Sequence, residues 1–255
     1  FPYTTLFRSN GLPLLAGQGM IDITGKPLAS MYFMQIVWGL RKEPFIGVRP
    51  LNHAKEAPTT GAWQFTNAID SWSWQGYEGE KAVVEVYANS ASVRLLLNGK
   101  EIVNKPVKKY KTLFKLPYQP GTLTAEALDE RGNVISSHSL TTAGEETVLR
   151  VTPDKMVLCA NNQALCYLPI EFTDKAGNLK PYMEQRVEVA VAGAATLAGF
   201  GSALCKTNEV FDKPYHHSYR GRCLAVLRAG STPGKAKVTV TSAGMEPVTI
   251  EVEVQ

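Results

Sequence analysis

Hydrophobic and polar residues alternate along most of this chain in a pattern typical of β-strands. From residue 81 onward, short segments such as AVVEVYAN and KAKVTVTS are rich in apolar and β-branched residues and are separated by turn-forming residues. Short strands separated by turns at this spacing are typical of antiparallel β-sandwiches. The pattern predicts a mostly β protein with two successive immunoglobulin-like sandwiches, at residues 48–144 and 145–255.

The clearest turn signal is the pair Asn98-Gly99, which stands between SVRLLL and KEIV. A two-residue hairpin turn needs positive φ at both central residues, and Asn and Gly tolerate it best. We therefore expect a β-hairpin here. The alternation is weakest from Ala198 to Ser218, where Gly, Cys, Asn and His interrupt it. That stretch is predicted to be a long surface loop.

One segment, residues 10–47, has a different pattern. Within it, Lys26-Pro27 marks the start of a predicted helix, because proline suits the first helical position. Apolar residues then continue to Trp38, and Gly39 ends the helix. A helix that is apolar almost all round needs to be covered on most sides. All later segments have strand character, so the helix has no visible packing partner. Removing residues 1–47 is predicted to improve solubility.

The mild net charge argues against a nucleic-acid partner, and the lack of a long apolar run argues against a membrane span. The chain has 27 basic and 23 acidic residues, a net charge of +4, and no run of about 18 apolar residues. One basic cluster lies beside the Asn98-Gly99 turn. Its members are Lys100, Lys105, Lys108, Lys109 and Lys111. Tyr110 is the one aromatic residue among these lysines, whereas a single-strand binder needs several aromatic platforms, so we predict a solvated hairpin flank.

The chain shows no sequence motif for catalysis or for a cofactor. Its four histidines have no acidic residue at a metal-binding spacing, and no GxSxG nucleophile turn is present. The four cysteines form no CxxC pair. We therefore predict no metal, no cofactor and no catalytic residue in this chain, with the histidines at the surface and the cysteines buried as small hydrophobic residues.

An aromatic cluster offers the strongest candidate binding residues. Trp63, Trp72, Trp74 and Tyr77 lie within fifteen residues, among Gly and Ser, just before the first strong strand. An exposed indole suits the flat C–H face of a sugar, which makes Trp72 and Trp74 candidate substrate-binding residues. Burial of the same rings at a domain junction is the alternative, and it is the commoner fate of tryptophan.

Four motifs carry a resemblance to a known family. They are AGQGMIDITGKPLASMYFMQIVW, VRPLNH, WSWQGYEGEKAVVEVYANSASVRLLLNGK and YQPGTLTAEAL. The chain after Ser9 resembles the C-terminal part of family 2 glycoside hydrolases of the bacterial β-galactosidase type. The resemblance implies that residues 10–47 are the last loop and helix of a catalytic (β/α)₈ barrel. It also implies that two sandwiches follow, residues 145–255 being the family's C-terminal domain.

The same resemblance implies where catalysis takes place. In that family, two glutamates on earlier barrel strands perform retaining hydrolysis of terminal β-linked sugars. No acidic residue here matches either motif, so this chain is predicted to be inactive alone, carbohydrate being the partner of a longer parent enzyme. The sandwiches would brace the barrel, shape the edge of the active site or build a homo-oligomer interface. The alternative is a carbohydrate-binding module that uses Trp72 and Trp74.

Two further expectations concern the start of the chain. The first nine residues, FPYTTLFRS, match the translation of a standard sequencing-library adapter, so residues 1–9 are predicted to be artefactual. Asp22, in the loop before the helix, is expected to hold a turn, with a place near the parent's sugar site as the alternative. The compartment stays open between the cytoplasm and the cell envelope of a bacterium.

Overall fold

A computed structural model describes residues 19–55, 63–205 and 207–255, and the segment predicted to come from an adapter lies outside them. The described chain is mostly β, with one helix and four sheets, which confirms the predicted fold class. It forms two compact units that divide between Ala143 and Gly144. We call them the N-terminal unit and the C-terminal unit.

The N-terminal unit is a helix followed by a seven-stranded antiparallel sandwich. Its sheets have the strand orders β1-β2-β5 and β4-β3-β6-β7. The core lies between them, where Val84 and Phe114 of one sheet meet Leu95 and Leu123 of the other. The elements are α1 (Ala29–Val37), β1 (Phe45–Val48), β2 (Lys81–Tyr87), β3 (Ser92–Leu97), β4 (Lys100–Pro106), β5 (Lys111–Pro117), β6 (Thr122–Leu128) and β7 (Val134–Thr141).

The predicted hairpin at Asn98-Gly99 is confirmed. It joins β3 to β4, which pair in antiparallel register with Leu97 opposite Lys100. Asn98 and Gly99 have φ values of 53° and 76°, the left-handed conformation that a two-residue turn requires.

The helix α1 has a partner inside the N-terminal unit, so the expectation that nothing here covers it is wrong. Ala29 and Ile36 are buried in one cluster with Phe45, Ala68 and Tyr87. The strand β1 and the segment before β2 therefore supply an apolar face on the outer side of the first sheet. The boundary that the sequence places after residue 47 falls inside β1. All four residues of β1, Phe45–Val48, pair with β2.

The C-terminal unit is a second sandwich, with sheets ordered β12-β14-β10-β8 and β13-β11-β15-β16-β9. Its core includes Leu168 and Phe172 from one sheet and Val189 and Val238 from the other. The elements are β8 (Val148–Val151), β9 (Val157–Leu158), β10 (Leu165–Thr173), β11 (Arg186–Gly193), β12 (Ala195–Gly201), β13 (Tyr215–His217), β14 (Arg222–Ala229), β15 (Gly234–Ser242) and β16 (Val248–Val254).

The stretch predicted as a long surface loop is partly strand and partly core. It overlaps β12 and contains β13, and both Phe200 and His216 are buried. The prediction failed because the register of β12 against β14 shifts between Leu197 and Gly199. Such a bulge interrupts the alternation on which the sequence argument depended. The burial of His216 also corrects the expectation that all the histidines lie at the surface.

Candidate functional site

The two tryptophans proposed to contact sugar are completely buried. The Trp72 indole donates its Nε1–H to the Gln119 carbonyl over 3.0 Å, and its ring meets Tyr118 edge-on at 4.9 Å between centroids. Trp74 lies in the same core and its backbone N–H donates to the Tyr118 hydroxyl. A buried ring offers no face to a sugar, so this placement supports the packing alternative. Trp63 is the exposed member of the cluster, at 58%.

Asp22 holds a turn in the segment that leads to α1. Its Oδ1 accepts hydrogen bonds from the backbone N–H and the hydroxyl of Thr24, over 2.8 and 2.7 Å, and from the backbone N–H of Lys26 over 3.1 Å. A carboxylate that bonds backbone groups two and four residues ahead stabilises a local turn. This geometry supports the turn role of Asp22.

The most strongly organised polar cluster is one that sequence reasoning missed. Glu85 on β2 is fully buried and receives four side-chain donors. Arg49 Nε and Thr66 Oγ1 donate to its Oε1 over 2.8 and 2.9 Å, while Lys111 Nζ and Tyr87 Oη donate to Oε2 over 2.6 and 2.8 Å. A buried carboxylate is tolerated only when it is paired and hydrogen-bonded in this way.

The fold explains why a glutamate can lie within an apolar strand. Val84 and Val86 of β2 face the sandwich core, whereas Glu85 and Tyr87 lie on the opposite face. In an ordinary two-layer sandwich that opposite face would be solvated, and alternation alone predicts an exposed Glu85. Here α1 and the segment before β2 cover it, so both faces of β2 are buried.

The electrostatics of this cluster keep Glu85 ionised and Tyr87 neutral. Burial works to raise the pKa of Glu85, but the ammonium of Lys111 outweighs it, aided by Tyr87 and Arg49, and the pKa is lowered. Burial and the Glu85 charge raise the pKa of Tyr87. The carboxylate is therefore ionised at neutral pH and the phenol is a neutral donor. The arrangement joins β1, β2 and β5 and offers no group for proton transfer to a substrate.

Beside this cluster lies an open groove of about 450 Å³, which we call the basic groove. It is lined by Phe33, Phe65, Leu113, Lys108, Lys109 and Lys111. The rings of Phe33 and Phe65 meet edge-on at 5.1 Å. Lys111 Nζ lies 5.4 Å from the centre of the Phe65 ring, close enough for a cation–π contact.

The basic groove was not predictable from local sequence. Lys108 and Lys109 come from the turn between β4 and β5, and Lys111 begins β5. The aromatic residues Phe33 and Phe65 come from α1 and from the segment before β2. In sequence, only Tyr110 stands among these lysines, and the aromatic rings that line the groove are distant. Folding brings them alongside from residues more than forty positions away.

The C-terminal unit holds a second polar cluster, which is partly buried and partly at the surface. Glu209 lies between two imidazoles, with Oε1 2.8 Å from His217 Nδ1 and Oε2 3.2 Å from His216 Nδ1. Burial works to raise the pKa of Glu209, but the hydrogen bonds from His217 outweigh burial, and the pKa is lowered. His216 is fully buried and stacks on Phe211 at 5.7 Å. A substrate cannot reach the His216 imidazole, and the contacts of both histidines with Glu209 hold β13 in place.

The described residues contain no group of three or more His, Cys, Asp or Glu side chains placed to hold a metal ion. They also contain no helix long and apolar enough to cross a membrane. All four cysteines lie in the described residues as thiols rather than disulfides. Cys166 and Cys223 are buried, and burial raises the pKa of Cys166 to about 11. Cys159 is exposed and Cys205 is half-buried, so the expectation of four buried thiols is wrong for these two.

Two β-sandwiches follow one another along the chain, and a helix packs on the first of them. The profile described as Glycoside hydrolase family 2 C-terminal domain 5 matches residues 149–251, in the C-terminal unit. A profile described as a Domain of unknown function (DUF4982) matches residues 79–136, in the N-terminal unit. These matches fit a C-terminal portion of a family 2 glycoside hydrolase.

Relatives from Bacteroides share this architecture. The chain is 27% identical over 240 residues to Beta-galactosidase BoGH2A of Bacteroides ovatus, a match that covers 93% of this chain and 25% of that protein. A family 2 glycosyl hydrolase from Bacteroides cellulosilyticus superposes with a TM-score of 0.82 at 27% identity, covering 93% of this chain and 32% of that one. A β-glycosidase from Bacteroides vulgatus, 22% identical, has the same fold with a TM-score of 0.73 over 92% of this chain and 28% of its own. The chain therefore spans about a quarter to a third of the length of these relatives.

Proposed function

We propose that this chain is the non-catalytic C-terminal support of a family 2 glycosidase of the β-galactosidase type, and that its sandwiches brace the catalytic barrel. The parent enzyme would hydrolyse terminal β-linked sugars with retention. That chemistry requires an acid/base and a nucleophilic carboxylate about 5–5.5 Å apart, which the barrel would supply. Carbohydrate would then be the substrate of the parent.

The observation that carries the proposal is the attachment of α1 to the first sheet. Tyr32 stacks on Phe45 with the ring centroids 4.3 Å apart, and Phe33 meets Tyr87 edge-on at 5.3 Å. Ile36 is buried beside them. If α1 is the last helix of a barrel, as the sequence resemblance implies, these contacts hold the barrel to the sandwich.

The exposed part of the same segment supports this role. Four large apolar side chains within residues 21–40 remain exposed: Ile21, Ile23, Trp38 and Leu40. Leu40 is 74% exposed and Trp38 is 57% exposed. Apolar side chains gathered in one short segment mark a surface that binds other protein. An attached barrel would supply that cover.

The test is a chimera in which this chain replaces the matching portion of the Bacteroides ovatus enzyme. We expect the chimera to hydrolyse an aryl β-galactoside, and we expect Phe45→Ala to lower the temperature at which activity is lost while leaving KM unchanged. Val134→Ala, at an exposed valine of β7, is the matched control and should have no effect. Equal behaviour of the two variants would contradict bracing. Hydrolysis by the isolated chain above a buffer control would contradict its non-catalytic role.

A homo-oligomer interface on the parent remains a prediction of the sequence resemblance. Light scattering on the chimera and on the isolated chain measures it directly. If the sandwiches build the interface, both proteins should exceed their monomer mass.

A further inference from the structure

We propose that the basic groove of the N-terminal unit binds an acidic oligosaccharide. The inference goes beyond bracing, and it rests on the part of the proposed function that places the chain in a carbohydrate-active enzyme. It is carried by three features of the groove: its charge, its apolar floor and the rigidity of its rim.

The charge of the groove is only partly neutralised. Residues 105–117 contain five lysines and no acidic residue. Glu85 contributes one negative charge to the neighbouring cluster, and both Arg49 and Lys111 pair with it. In the described part of the chain, the exposed side chains of Lys108 and Lys109 form no ion pair. The groove therefore attracts an anion.

The floor of the groove suits the apolar face of a sugar. Phe33 and Phe65 are half-buried and Leu113 is 42% exposed. Pyranose rings present C–H groups that pack on such surfaces, while their carboxylate or sulfate groups would reach the lysines at the rim. A volume of about 450 Å³ falls within the ~300–1,000 Å³ typical of small-ligand sites.

The rim is held in place before any ligand arrives. Backbone hydrogen bonds of 3.2 and 3.1 Å join Lys108 and Lys111 in both directions and close the turn. Between them, Lys109 and Tyr110 have φ values of 50° and 62°. The Lys111 side chain is fixed by Glu85. A backbone fixed in this way lowers the ordering cost of binding, which favours a ligand that bridges two or three ammonium groups.

The aromatic geometry favours sugar over single-stranded nucleic acid. Bases along a strand stack on aromatic platforms. The Phe33 and Phe65 planes are inclined at 79° to each other, and an ammonium already lies over the Phe65 ring. The pair does not provide two parallel platforms for successive bases. A short anionic sugar needs one apolar contact and several cations, which the groove supplies.

The test is calorimetric titration of the whole chain with tetragalacturonate, at low salt and at physiological salt. The fully methyl-esterified form of the same tetrasaccharide is the matched uncharged probe. We expect tetragalacturonate to bind at least tenfold more tightly than the neutral sugar, and Lys108→Ala with Lys109→Ala to weaken binding at least tenfold. The pair Lys81→Ala with Lys100→Ala makes the same charge change at exposed sites on the same unit, and it should change the affinity less than twofold.

Three results would overturn the proposal. One is equal weakening by both double variants, which indicates diffuse charge attraction. Another is unaltered binding in the Lys108, Lys109 variant. The last is equally tight binding of a thymidine hexanucleotide or of pentaglutamate, which indicates another anion class. All four tryptophans lie in the N-terminal unit, so their fluorescence verifies that each variant is folded. The titration measures binding only, so its failure leaves the bracing proposal standing, and failure of the chimera leaves the titration interpretable.

Discussion

Glu85 and Lys111 form an ion pair between β2 and β5, with Oε2 and Nζ 2.6 Å apart and the glutamate fully buried. The two residues lie on the sheet face that α1 covers. Arg49, which directly follows β1, forms a second ion pair with Glu85. One carboxylate thus holds three strands together at the point where the helix attaches. This relationship makes Glu85 the polar residue on which the stability of the N-terminal unit depends most.

Replacing Glu85 with Gln should destabilise the N-terminal unit. The change keeps the size of the side chain but leaves Arg49 and Lys111 without their anion. Removing one partner of a buried pair costs about 3–5 kcal/mol, and we expect a loss of about 3 kcal/mol because Arg49 and Lys111 are partly exposed. Urea unfolding followed by tryptophan fluorescence measures it. Glu101→Gln, which alters an exposed and longer contact to Arg94, should cost less than about 0.5 kcal/mol. Equal losses in the two variants would refute the argument.

The contribution of Glu85 should also depend on pH in a defined direction. Its pKa is lowered from the ordinary value of 4.5, so the folded state holds the ionised form more strongly than the unfolded state does. The stabilisation is therefore fully present above about pH 4.5 and is lost as pH falls through the lowered pKa. We expect the difference in unfolding free energy between wild type and Glu85→Gln to shrink between pH 5 and pH 3. A difference that stays constant over this range would show that the carboxylate charge is not the cause.

The strand pattern of the N-terminal unit was predictable because its core is two-layered. Residues such as Leu123 and Ala125 of β6 alternate with polar neighbours, and the Asn98-Gly99 turn carries its own conformational signal. Local periodicity encodes both features. The same argument could not place Glu85, because a third layer, α1, buries the face that alternation predicts to be solvated.

The sites depended on contacts between distant residues. The clustering of Trp72 and Trp74 in sequence indicated a sugar surface, yet tryptophan is amphipathic, and its sequence neighbours do not reveal which side of the chain becomes core. Conversely, Phe33 and Phe65 showed nothing unusual in sequence. They became part of a candidate site because folding placed them beside Lys108 and Lys109.

The two buried tryptophans should respond differently to replacement by Phe. Trp72 Nε1 donates to the Gln119 carbonyl, whereas Trp74 Nε1 is buried without a hydrogen-bond partner in the described residues. Trp72→Phe removes the hydrogen bond to the Gln119 carbonyl, while Trp74→Phe removes an unpaired donor. Both create space, so the difference isolates the hydrogen bond. We expect Trp72→Phe to be more destabilising by about 1–2 kcal/mol in urea unfolding measured by circular dichroism. The reverse order would contradict these assignments.

Deleting residues 1–47 should now reduce solubility, the opposite of the expectation from sequence. The deletion removes α1 and three residues of β1, and it uncovers Ala68 and Tyr87 on the outer face of the first sheet. It also leaves β2 with an unpaired edge, which promotes aggregation. We expect less protein in the soluble fraction and a red-shifted tryptophan emission. The control is deletion of residues 1–18, which leaves α1, β1 and the residues they cover in place and should not shift the emission. A soluble, unshifted product from the longer deletion would mean that α1 and β1 contribute little to the fold of this unit.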